Sequence, residues 1–164
     1  APLIVAAPGK KGRQKTKALA EFVDIYPTIC DLAQVPAPAH LQGESLVPIL
    51  DAPDSKGKKA AFQVYPRGSR ETGPMLGHAV RTDRWRYVEW QKADRTIVAR
   101  ELYDLENDPG ETANLAEKTE HKSVVEEHSK LVEERLDAEV PPGLELLPVA
   151  GNRRGARAPK RAEK

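Results

Sequence analysis

Asn107-Asp108-Pro109-Gly110 is the stretch that most limits how this chain can fold. Asn and Asp bind their own backbone, Pro has no N–H to give a ladder, and Gly tolerates conformations that side chains resist, so no regular element passes through. Whatever precedes must end there and a new element must follow. Upstream, Gly77–Trp90 reads GHAVRTDRWRYVEW. In it Ala79, Arg81, Asp83, Trp85, Tyr87 and Glu89 alternate with Val80, Thr82, Arg84, Arg86, Val88 and Trp90. That is the two-residue period of strands, and Asp83-Arg84 suits a tight turn between an antiparallel pair. Leu102–Leu105 offers a further strand before the stop, and Ala60–Tyr65 another ahead of the hairpin. Neither face is purely apolar, which predicts a sheet with one face on a core and the other on solvent or a second domain. Pro66–Pro74 reads as a polar loop long enough to arch over a site.

The first half has a different character. Ala1–Ala7 is a continuous apolar run suited to a buried strand of an α/β sheet, ended by Pro8-Gly9. Opening on such a segment without Met is what a processed chain, or a piece of a longer one, would look like; Ala1–Ala7 is too short for a signal peptide and its positive residues follow it. The next stretch, KKGRQKTK, carries five basic residues in eight and reads as a solvated loop, with a polyanion-facing loop as the alternative. Ala18–Val35 has apolar residues recurring at helical spacing, from Phe22 and Val23 to Leu32 and Ala33. Pro27 belongs in a first turn, so Asp24 is the expected N-cap. Cys30 falls on the packed side as an inert thiol.

Pro36, Pro38 and His40 form a rigid connector, and Ser45 is expected to cap a short helix over Ser45–Leu50. Residues 51–59 then link an α/β part over 1–50 to an antiparallel part over 60–140. Past Gly110, Glu111–Leu115 suits a helical turn. Glu120–Asp137 reads as a helix with Val124, Val125, His128, Leu131, Val132 and Leu136 on its apolar side and a Glu126–Lys130 ion pair outside. Residues 151–164 are basic, lack a hydrophobic period, and are expected to be disordered.

The chain has 164 residues, enough for one domain with a core but not for two large ones. Its net charge of +1 gives no global field for nucleic acid, and no run is long and apolar enough to span a bilayer. A single cysteine excludes an internal disulfide and a multi-cysteine metal site. There is no phosphate-binding glycine loop, no HExxH and no G-x-S-x-G. Asp104, Glu106 and Asp108 resemble a cation cluster, but their positions fit turn capping and ion pairs better. His121 and His128, among Glu and Lys, are expected at the surface. No catalytic and no metal-binding residue is therefore assigned. The remaining candidates lie on the hairpin, where Gly77 allows close approach, His78 titrates near neutrality, and Arg81 or Arg84 can grip a carboxylate or sulfate. Arg81 could equally pair with Glu101 or Asp83. Trp85 and Trp90 have opposite strand parity, so they form no common stacking platform.

The segments APLIVAAPG, ALAEFVDIYPTICDLAQVPAP, LQGESLVPIL, LGHAVRTDRWRYVEW and ELYDLENDPGETANLA, in that order, resemble the C-terminal part of type I sulfatases of the alkaline-phosphatase-like superfamily. The look is nearest to the iduronate sulfatase branch, partly through Val64–Gly68, and the resemblance covers roughly residues 1–118. It implies an α/β fold class: the C-terminal portion of the sulfatase fold, with a small antiparallel sheet packed against a helix. It also implies that the chemistry lies upstream, where a Cys- or Ser-x-Pro-Ser-Arg sequence supplies formylglycine and Asp and Asn side chains hold calcium. Cys30 is followed by Asp31-Leu32-Ala33 and does not match that motif. The resemblance makes His78, Arg81 and Arg84 substrate-specificity candidates, the upstream catalytic part a partner, and a sulfated small molecule or polysaccharide the ligand. It implies an extracytoplasmic, periplasmic or secreted location and no activity for this chain alone. The alternatives are a noncatalytic sulfated-carbohydrate-binding module and part of a related phosphodiesterase.

Overall fold

The computed structural model describes residues 2–69 and 73–138. Four strands, β1 Ala61–Ser69, β2 Gly73–Arg81, β3 Trp85–Lys92 and β4 Ile97–Asp104, form one antiparallel sheet in the order β1-β2-β3-β4. The helix α3, Lys122–Leu136, packs across it. The Asp83-Arg84 turn forms as its sequence predicts, with Thr82 N donating to Trp85 O at 2.9 Å. Register follows from the apolar residues. Phe62 lies opposite Val80, Val80 opposite Tyr87, and Tyr87 opposite Leu102, so one line of side chains crosses all four strands. Val80, Tyr87 and Leu102 are fully sealed and Val132 of α3 closes over them. Each such burial is worth about 1.5–3 kcal/mol, and a one-residue slip would turn the whole line to the other face.

Several expectations change. Pro66–Pro74 is not an arching loop: β1 runs on to Ser69 and β2 begins at Gly73, because Pro66 opposite Leu76 and Gly68 opposite Pro74 extend the ladder. Residues 70–72 lie outside the described part, as does the basic tail over 151–164. Glu111–Leu115 is no helical turn. Asp108 takes the backbone N–H of Thr112 and Ala113 at 2.7 and 2.9 Å, an arrangement that competes with helix for the same donors. His128 is not at the surface but 2 % exposed, its Nδ1 donating to Val124 O at 2.8 Å and its Nε2 hydrogen-bonded with Thr82 Oγ1 at 3.1 Å. The exposed ion pairs on α3 are Lys122–Glu126 and Lys130–Glu134, rather than Glu126–Lys130.

Among the described residues ahead of β1, regular structure is confined to three short helical elements. A 3-10 turn at Phe22–Asp24 leads into α1, Ile25–Leu32, and α2 spans Val47–Asp51. Pro27 sits in the first turn of α1 and Cys30 is buried, as expected. The strand expected over Ala1–Ala7 is not formed by its described part: residues 2–7 have no regular structure and Ile4 is 88 % exposed, since no neighbouring strand among the described residues offers it a ladder. Ser45 does not sit at the N-cap of α2, which is Leu46, though its Oγ accepts from Val47 N at 3.2 Å and donates to Asp31. Asp24 holds the N-cap position of α1 without capping it. Its carboxylate, fully buried, accepts instead from Glu21 N, Glu44 N and Lys58 Nζ at 2.7–2.9 Å. Lys58 reaches Glu21 as well, and Glu21 Oε1 accepts from Phe62 N at 2.8 Å. This ionic cluster joins the helical half to the first strand.

Candidate functional site

The sheet alternates its residues between two faces, and that separates the three hairpin candidates. His78 lies opposite Val64 and Glu89, on the face that α3 covers, and is 8 % exposed. Burial lowers its imidazole pKa from the ordinary histidine value, against the opposing pull of Glu89. Arg81, an odd number of residues along β2, faces the other way and is partly buried. Its Nε donates to Thr82 O at 2.8 Å, and neither Glu101 nor Asp83 pairs with it. Arg84 belongs to the turn. Its Nε and Nη2 grip both oxygens of Asp104 at 3.0 and 2.6 Å, and its guanidinium lies 4.7 Å from the centre of the Trp85 ring.

The Arg84 fork is therefore committed. Asp104 also takes Asn107 Nδ2 at 2.8 Å and Glu106 N at 3.2 Å, closing the start of the Asn-Asp-Pro-Gly stop. The Arg84 hydrogen bonds, followed by those of Asn107 and Glu106 N, hold the Asp104 carboxyl far below the usual carboxylate range, and the guanidinium is raised in return. Asp104, Glu106 and Asp108 act in ion pairs and turn capping. Among the described residues no three His, Cys, Asp or Glu side chains gather in a way that fits a metal ion.

Two constellations escaped the sequence reading. Under α3, the buried Glu89 carboxylate accepts from Tyr87 Oη at 2.7 Å, Gln91 Nε2 at 2.5 Å and Ser129 Oγ at 2.7 Å, with Arg100 Nε 4.0 Å away. Burial, then the Glu89 bond, pushes the Tyr87 phenol up to about 12. The shared parity of Tyr87, Glu89 and Gln91 was the available signal, but strand periodicity says nothing about the serine that arrives from a helix 40 residues on. On the opposite face Trp90 lies over Gly77, donates from Nε1 to Glu101 Oε1 at 2.8 Å, and carries the Arg67 guanidinium 5.1 Å from its ring centre. Trp85 and Trp90 thus serve opposite faces, as their parity predicts.

Comparison with known proteins places this architecture. A family model described as N-sulphoglucosamine sulphohydrolase, C-terminal, matches residues 1–138. Arylsulfatase K of Gallus gallus is 35% identical over 125 residues, covering 70% of this chain and 22% of the relative. Delta 4,5-hexuronate-2-O-sulfatase of Bacteroides thetaiotaomicron is 34% identical over 136 residues, covering 81% and 27%. A solved structure described as bound to its substrate, D-glucosamine-2-N,6-O-disulfate, superposes with a TM-score of 0.57 at 30% identity, over 68% of this chain and 23% of that one. The chain spans about a quarter of the length of the relatives it matches. The sheet, its covering helix and the segments leading into them are those of a sulfatase C-terminal region, and the chain belongs to the N-sulphoglucosamine sulphohydrolase C-terminal family.

Proposed function

We propose that this chain is the C-terminal part of an enzyme that hydrolyses sulfate esters of sulfated sugars, with the groups that attack the ester lying in a preceding segment. The match to the sulfatase family along residues 1–138 carries the reading. The bare apolar side of the helical half supports it. Phe22, Tyr26, Ile29 and Val35 are 71, 52, 56 and 52 % exposed, a surface that suits packing against further protein. Formylglycine and calcium belong to that preceding segment in this reading, since the side chains described here do not fit a calcium site. Relatives acting on a hexuronate sulfate and on a sulfated glucosamine favour a sulfated sugar, and placement near the iduronate branch refines the same proposal.

Of the three candidates, Arg81 is the substrate contact that we carry forward, because its terminal nitrogens make no hydrogen bond among the described residues. Arg84 and His78 act by position, Arg84 fixing the turn through Asp104 and His78 filling the covered face. No helix among the described residues is long and apolar enough to cross a membrane, and an extracytoplasmic location follows from the sulfatase kinship in this proposal. The test is sulfate release by the full-length polypeptide containing this chain, measured by ion chromatography on an aryl sulfate and on sulfated disaccharides. Turnover is expected. No release from any of them, together with no Cys- or Ser-x-Pro-Ser-Arg upstream, would overturn the reading.

A further inference from the structure

The basic stretch Lys10–Lys17 is absorbed by none of the chemistry above, and its geometry is ordered. Lys10 Nζ pairs with Asp51 at 2.6 Å, Gln14 Nε2 donates to Leu50 O at 3.5 Å, and Thr16 Oγ1 donates to Pro53 O at 2.7 Å. The even-numbered side chains thus fasten the segment to α2 and the loop after it. The odd-numbered ones, Lys11, Arg13, Lys15 and Lys17, are exposed and their side chains make no ion pair or hydrogen bond among the described residues. Arg13 takes left-handed backbone at φ 59°, so the row bends there before running on to Lys15 and Lys17.

A second basic loop lies alongside. A Cβ on Gly57 would come within 3.1 Å of Ala18 Cβ and 3.4 Å of Leu19 O, which puts Lys56 and Lys59, both exposed, beside the end of the first row. Asp51 is already neutralised by Lys10, leaving Asp54 as the acid of this region without an ion pair among the described residues.

We propose that Lys11, Arg13, Lys15 and Lys17, flanked by Lys56 and Lys59, form an exosite, distinct from the Arg81 side chain, that grips the chain of a sulfated polysaccharide; its Lys59 end lies two residues from Ala61, the strand partner of Arg81. The choice of polymer rests on the sulfatase reading. The surface itself favours it over other polyanions. Residues 10–17 and 50–59 contain no aromatic side chain on which a nucleic acid base could stack, and residues 10–17 contain no apolar one to enter a lipid surface. A row of isolated cations holds a flexible polymer by releasing its condensed counterions, so affinity falls steeply with salt.

The test is binding of the full 164-residue chain to immobilised heparin across a salt series. Lys11→Gln, Arg13→Gln and Lys15→Gln combined is compared with Lys118→Gln, Lys122→Gln and Lys130→Gln, which removes equal charge elsewhere. The loop variant should bind about tenfold or more weakly at 0.15 M salt and lose about two from the slope of log K against log salt. The control should stay within about twofold of the parent. Equal weakening in both variants, or none in the loop variant, would overturn the proposal. So would duplex DNA or phosphatidylserine vesicles bound through the same three residues as tightly as heparin. Binding is read without turnover, so absent sulfate release leaves this result standing, and unchanged heparin binding leaves the sulfatase reading standing.

Discussion

Gly77 lies directly beneath the indole of Trp90: a Cβ on Gly77 would stand 2.8 Å from Trp90 Cζ3. Trp90 is also held by its Nε1 bond to Glu101 and by the Arg67 guanidinium above it. The ring cannot yield without losing both, so Gly77→Ala should destabilise the sheet by about 1–3 kcal/mol, the range for inserting a methyl into a packed site. Urea unfolding followed by tryptophan fluorescence checks this, and an unchanged midpoint with an unchanged emission maximum would show that the ring moves freely.

Lys58 should be the costliest lysine to remove. Its ammonium bridges Glu21 and the fully buried Asp24 at 2.7 Å each, and replacing it with Met leaves an unpaired buried carboxylate, a loss of about 3–5 kcal/mol. Burial alone would lower its pKa, but the hydrogen bonds of Asp24 and Glu21 outweigh burial and raise it. A raised lysine contributes stability that is complete below its unfolded pKa, near 10.4, and is lost as pH rises through the folded value. Melting curves from pH 8 to 11 should therefore fall more steeply for the parent chain than for Lys58→Met.

The sheet was legible because its signals are local. Alternation marked the middle of the strands but not their ends, since β1 runs on through Pro66 to Ser69 and β4 starts at Ile97; Asp83-Arg84 marked the turn, Asn107–Gly110 the stop, and the spacing of Val124, Val125, His128, Leu131, Val132 and Leu136 the helix. What failed depended on distant partners. Residues 2–7 have the composition of a buried strand, yet a strand exists only where a neighbour completes its hydrogen bonds. The charged company of His128 pointed to solvent, whereas its place on the apolar stripe carried it inward. The surroundings of the candidate residues were the least legible: parity separates His78 and Arg81 onto opposite faces, but only the folded turn shows Arg84 gripping Asp104.

If Arg81 contacts substrate, Arg81→Ala in the full-length enzyme should raise KM for a sulfated disaccharide about tenfold or more with kcat little changed, the pattern of a lost ground-state contact. Arg81→Lys keeps the charge but not the fork and should recover only part of the loss. A small aryl sulfate, which has no second sugar for Arg81 to hold, should be hydrolysed as before. Equal losses on both substrates would assign Arg81 to folding.

Tyr87 should titrate late, and Tyr103, raised by burial and its bond to Glu101, moves in the same direction. Its phenol, pushed up to about 12 by burial and by its bond to Glu89, keeps its proton when ordinary tyrosines ionise near 10. The fold gains stability from this group below its unfolded pKa and loses it as pH rises toward 12. Absorbance titration at alkaline pH should show a late tyrosine that Tyr87→Phe abolishes. A Tyr87→Phe titration identical in shape to the parent's would mean that the Glu89 cluster opens before the phenol ionises.

Asp104 sets the acid limit of the hairpin. Its carboxylate accepts two bonds from Arg84, one from Asn107 and one from Glu106 N, and its pKa lies far below the carboxylate range. A depressed carboxylate contributes stability that is complete above its unfolded pKa, near 3.9, and is lost as pH falls toward the folded value. Asn at this position keeps the size and an acceptor oxygen but not the charge, so Asp104→Asn should be less stable at pH 6 by about 1–3 kcal/mol, the scale of hydrogen bonds to a charged group. As pH falls below about 4 the unfolded parent takes up a proton that the folded carboxylate still refuses, so the gap between the two should narrow steadily toward pH 2. Guanidinium chloride would screen the pair, so urea midpoints between pH 2 and 6 are the measurement. A constant gap down to pH 2 would show that Asp104 holds the turn by shape, with Arg84 contributing packing over Trp85 and no charge pairing.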